Sequence, residues 1–185
     1  MFILKDTQGL DRAFFTQARC ADEITRATLQ KGGFVYLEHS ASPNFGTPIA
    51  RLADGTGTNA LKKKLVYPVM ITRPEPGTPR TDFKQIPESG LITIIKFSLE
   101  GYVDKWSYFE DGDTYANIAQ GDALKIALIA KEDINANENY GADATLYDRP
   151  MLVKDGNGSG TYATTIAICD ANPVNGEMKI RFLYN

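Results

Sequence analysis

Apolar and polar positions alternate with a period of two along most of this chain, most clearly over residues 91–99. There Ile92, Ile94, Lys96 and Ser98 share one face and Leu91, Thr93, Ile95, Phe97 and Leu99 the other. Both faces begin apolar, so the first half of this strand is expected to be covered on both sides. Residues 122–129, 161–169 and 178–184 carry the same signal, each introduced by a Gly-containing turn. Residues 65–72 form a β-branched run broken by Pro68, whose missing N–H predicts an edge strand or a bulge. Residues 24–29 alternate as well, and Lys31-Gly32-Gly33 reads as a turn into a hairpin partner at 34–38. Residues 40–60 are loop-like, with Pro43, Gly46, Pro48, Gly55 and Gly57, apart from a brief candidate strand at 49–52. Helical spacing occurs once, over 9–20, where Leu10, Phe14 and Ala18 line up and Asp11 is a candidate cap, although Phe15 breaks the stripe. Many short strands and so little helix predict a mainly β protein. The expected architecture is a β-barrel or β-sandwich with long loops, a short N-terminal arm and at most one or two short helices.

A length of 185 residues suits a single β-rich domain over 1–185, with 1–22 as an arm or helix. Residues 73–87 hold four prolines among charged residues, which predicts an extended, contact-making loop spanning about 73–90. Hydrophobic content of 43% and charged content of 23% exclude wholesale disorder. A net charge of -3 gives no electrostatic reason to expect nucleic acid. The one basic run, Lys62, Lys63 and Lys64, reads as a solvated turn ahead of a strand. No window reaches the ~18 apolar residues of a membrane span, and the start MFILKD lacks the apolar run of a signal peptide. Cys20 and Cys169 lie far apart in no metal-like spacing and are expected to be free thiols.

Candidate chemistry is sparse. His39, the single histidine, has no second ligand at metal spacing and reads as a loop residue. No nucleophile elbow, Ser/His/Asp order or phosphate-binding Gly-Lys loop occurs, so no enzyme activity and no cofactor are expected. Asp155, Asn157, Ser159 and Gly160 match the first half of a calcium loop, but Ile166 stands at the twelfth position where a glutamate is needed. A hairpin turn is the favoured reading there. Glu110, Asp111, Asp113 and Asp122 are either a cation or acid–base group or the furniture of tight turns, as Asp111-Gly112-Asp113 suggests. Tyr102, Trp106, Tyr108, Phe109 and Tyr115 are either a stacking platform or, as favoured without basic neighbours, packing residues.

The series Tyr102-x-Asp104-x-Trp106, then Asp113, Tyr115, Gly121-Asp122 and Leu124, resembles a segment of the head decoration (cement, capsid-stabilising) proteins of tailed bacteriophages. The alternating strand at the end of the chain belongs to the same resemblance, which covers about a quarter of the sequence. It implies a non-enzymatic virion structural protein, made in the host bacterial cytoplasm and bound to the capsid surface. The implied partners are the phage major capsid protein and further copies of itself, as a homotrimer or homodimer, with no nucleic acid and no membrane. Contacts would then come from Phe2, Ile3 and Leu4 at the start and from Arg73, Pro74, Pro76, Pro79 and Arg80 in the proline-rich loop. Two other readings stay open: a tail-tube, connector or other ring-forming virion component, and a carbohydrate- or ligand-binding β module.

Overall fold

Two β assemblies pack together in the computed structural model, which describes residues 2–3, 14–29, 32–38, 47–53, 66–70, 90–97, 100–140, 145–156 and 165–183. The first is a closed five-stranded barrel made of β2 (Phe14–Cys20), β3 (Phe34–Glu38), β4 (Ile49–Leu52), β5 (Val66–Met70) and β6 (Leu91–Phe97), in the order β2-β4-β3-β5-β6. All its pairings are antiparallel except β2 with β4. The second is a six-stranded antiparallel sheet of β1 (Phe2–Ile3), β7 (Glu100–Asp104), β8 (Ala123–Ile129), β9 (Arg149–Lys154), β10 (Ala167–Val174) and β11 (Glu177–Phe182). Its order is β1-β7-β11-β10-β8-β9. The described α-helices are both short, α1 (Glu23–Leu29) and α2 (Lys131–Ala136), and a 3-10 turn follows at Glu138–Tyr140. The fold is therefore mainly β, as the alternation predicts.

The order of helix and strand near the start is the reverse of the expectation. Residues 14–20, expected to be helical, form β2 against β6, from Phe14 opposite Phe97 to Arg19 opposite Leu91. Their side chains satisfy a period of two equally well: Ala18 and Cys20 are buried while Gln17 and Arg19 are exposed. Residues 23–29, expected to be a strand, form α1 because Asp22 caps it, accepting the Thr25 N–H at 2.7 Å on its side chain. Thr25, Thr28 and Leu29 lie on the buried face of α1. The helix ends where Gly32, at φ 90°, donates its N–H to the Leu29 carbonyl at 2.8 Å. Where a hairpin turn is expected at Lys31-Gly32-Gly33, Gly32 thus forms a helix exit, and Lys31 lies outside the described residues.

Pro68 does not mark an edge either. β5 lies between β3 and β6, pairing with β3 through Val66, Tyr67 and Pro68 and with β6 through Val69 and Met70. The ladder changes partner at the proline, so the missing N–H falls at a handover. Of the strand expected at 161–169, residues 161–164 lie outside the described residues, and β10 runs from Ala167 to Val174 through two register shifts against β11.

β8 shows how the sheet buries both faces. Leu124 and Ile126 join Val103, Leu152, Cys169, Met178 and Ile180 in a core that also takes Phe34 and Ala53 from the barrel side. Ala127 and Ile129 face the other way, with Met151 and Val153, beneath a lid of Trp106, Phe109, Tyr115, Tyr140 and Ile134. The barrel interior is a third cluster of Ala18, Cys20, Leu29, Val35, Ala50 and Ile92.

Candidate functional site

The segment between β7 and β8 is the aromatic lid, and its residues are held by one another. Trp106 packs edge-on to Tyr140 at 5.4 Å, Phe109 edge-on to Tyr115 at 5.4 Å, and Phe109 stacks on Tyr140 at 5.5 Å. Trp106, Tyr108, Phe109 and Tyr115 are all buried, so the packing reading holds for them and they form no exposed stacking platform. Tyr140 closes the lid by donating its hydroxyl proton to the Tyr108 carbonyl at 2.6 Å.

The acidic residues of this segment serve turns. Asp111 accepts the N–H groups of Asp113 and Tyr115, each at 2.8 Å. Asp122 accepts the Ala119 N–H at 2.8 Å and the Lys154 ammonium at 2.9 Å; this lysine, with the Ala119 N–H, holds its carboxyl below the usual range. Glu110 accepts the Ile118 N–H at 2.8 Å with Oε2. Among the described residues no three His, Cys, Asp or Glu side chains converge as a metal site would require. Asp155, the first position of the calcium-loop alternative, is engaged with the Thr165 hydroxyl, the Gly156 N–H and, at 3.7 Å, Lys125. Thr165 above all keeps its carboxyl low. Residues 157–160 lie outside the described residues.

Of the expected contact residues, Phe2 and Ile3 pair with Val103 and Tyr102 and so form the edge strand of the sheet. Leu4, Arg73, Pro74, Pro76, Pro79 and Arg80, like His39 and Lys62, Lys63 and Lys64, lie outside the described residues. Cys20 and Cys169 are free and buried, and burial pushes each thiol up to about 11. Among the described residues no helix is long and apolar enough to cross a membrane.

Sequence reasoning passed over Arg149, the most deeply buried charge described, at 2% exposure. From β9 its guanidinium donates to the Thr28 carbonyl at 2.5 Å and the Gly32 carbonyl at 2.7 Å, closing the C-terminal end of α1. It also lies 5.6 Å from the centre of the Trp106 ring. Burial lowers its pKa to about 10, so it stays charged at neutral pH. Arg149 thereby joins helix, sheet and lid.

A cleft of about 200 Å³ opens beside this lid, between Lys105, Tyr108, Glu110, Asn139 and Tyr140 on one side and Pro173 on the other. The Lys105 ammonium is held by the Asn139 carbonyl at 3.1 Å and lies 5.6 Å from the Trp106 ring centre. In the sequence the near wall of the cleft shows only as the acidic–aromatic run at 102–115, and the facing wall comes from the β10–β11 hairpin. No family model matches the chain, and no curated protein or solved structure does either.

Proposed function

We propose that this chain is a structural component of a tailed-bacteriophage virion, a decoration protein that binds the outside of the capsid and stabilises it. One observation carries the reading: most residues of the resemblance serve the shape of the molecule. Asp104 accepts the Trp106 N–H at 3.2 Å, Trp106 and Tyr115 are lid, and Gly121 takes φ 89°. Asp122 ties its turn to β9 through Lys154, and Leu124 is fully buried. A pattern mostly of turns and core suits a protein that works through a rigid surface. On a lattice, many copies make weak single contacts collectively strong.

The edge strand β1 offers a means of attachment, because an edge presents unpaired backbone groups to a neighbouring chain. The test is imaging of native heads, with their heat stability compared in the presence and absence of the protein. Shell-bound copies that raise the rupture temperature are expected, and removal of residues 1–5 should weaken attachment while the β circular dichroism persists. Rings or tubes in the micrographs would move the assignment to a connector or tail component.

A further inference from the structure

We propose that the cleft beside the aromatic lid is a receptor for one guanidinium group, the end of an arginine side chain presented by the surface on which this protein docks. The assignment of that arginine to a capsid rests on the decoration reading; the cleft's chemistry does not.

Three residues with acceptor capacity to spare line this one cavity. Glu110 spends Oε2 on the Ile118 N–H at 2.8 Å, and no ion pair or further hydrogen bond to its carboxylate occurs among the described residues. Tyr108 is 5% exposed; its carbonyl accepts the Tyr140 hydroxyl, but its own hydroxyl has no partner among the described residues. Asn139 engages its backbone N–H with Asn137 at 2.9 Å and its carbonyl with Lys105, and leaves its carboxamide without a partner among those residues. A carboxylate oxygen, a phenol oxygen and an amide oxygen are acceptors, and a planar five-donor cation matches several acceptors at once better than a point-charge ammonium does.

Two carboxylates, Glu110 and Asp104, act on the tyrosines of the cleft, against Arg149, which acts on Tyr140 in the other direction. Burial first, then the negative charges of Glu110 and Asp104, push the Tyr108 phenol up to about 12, and both carboxylates raise Tyr140 as well. The one cation in the wall, Lys105, is committed to the Asn139 carbonyl and the indole face and makes no ion pair with Glu110. Pro173 supplies an apolar wall for an aliphatic stem.

The experiment titrates the purified protein with N-acetyl-arginine-methylamide, following backbone amide resonances of Ile118, Asn139 and Gly176. The citrulline and lysine counterparts serve as probes of charge and shape. Saturable shifts with the arginine probe are expected, weaker ones with lysine and none with citrulline. Glu110→Gln keeps an oxygen for the Ile118 N–H, and should weaken arginine binding by roughly two- to fivefold, as loss of a half-exposed ion pair predicts. Asn139→Ala is the second variant, should Glu110→Gln fail to fold. Equal shifts with citrulline, unchanged affinity in the variant, or no saturable shift at all would overturn the cleft's role. Attachment of wild type and Glu110→Gln to shells is measured in parallel. Wild type that binds no shell sinks the capsid reading alone, and a variant that attaches as wild type does removes the arginine from the shell.

Discussion

Arg149 sets the balance at the level of single residues, because a buried charge contributes only when its partners are complete. Two of its donors reach carbonyls of the α1 exit, while Nε, like the Thr28 hydroxyl, has no partner among the described residues. Arg149→Met would keep much of the packing but leave the Thr28 and Gly32 carbonyls without those bonds, for a loss of about 2–4 kcal/mol in urea unfolding. A change below about 0.5 kcal/mol would show that the latch carries no stability. Asp122 and Asp155 act in the opposite exposure regime, near the surface, with pKa values depressed by Lys154 and Thr165 respectively. A depressed carboxyl stabilises the fold above its unfolded pKa of about 4 and loses that contribution as pH falls through the folded value. Stability should therefore decline from about pH 4 downward, and Asp122→Asn should flatten part of that decline in urea midpoints measured across pH. An unchanged slope in the variant would remove Asp122 from the linkage.

Elements were legible where one period fitted and illegible where two did. β6 and β8 alternate over seven residues each, and both lie where the alternation places them. In 14–20, Phe14 and Ala18 satisfy a helical stripe and a strand face together, and only pairing with β6 and β4 decides between them. Residues 23–29 alternate by accident of Thr and Ala, and the decisive sign was Asp22 as an N-cap. β9 was invisible because Arg149-Pro150 opens it: an arginine and a proline argue against a buried strand until the α1 carbonyls supply the arginine's partners. The β10–β11 hairpin did carry a signal, Asn175-Gly176, both at positive φ, at 53° and 76°. That turn brings Gly176 and Pro173 to the cleft, so a closer reading of it would have given one wall of the site. The other wall depends on Asn139 and Tyr140 returning from beyond α2, a long-range contact that no local pattern encodes.

Across the molecule, the question is whether barrel and sheet unfold together. Phe34 begins β3 in the barrel yet belongs to the core of the six-stranded sheet, and Ala53, just past β4, joins it there. Ala53 also donates its N–H to the Phe34 carbonyl at 3.0 Å, so the two residues enter that core as a pair. Arg149 adds a second link, from β9 to the end of α1. Between these links, neither assembly can open without exposing apolar surface of the other, which favours one cooperative transition. The two cysteines report on this separately, because Cys20 lies in the barrel interior and Cys169 in the sheet core. Burial raises both thiols to about 11, so the native protein should resist alkylation at pH 8 at both positions. In increasing urea, mass spectrometry of the two alkylated peptides should give one common midpoint. Two separate midpoints would show that the barrel and the sheet are independently stable units, and that Phe34 and Arg149 only hold them side by side.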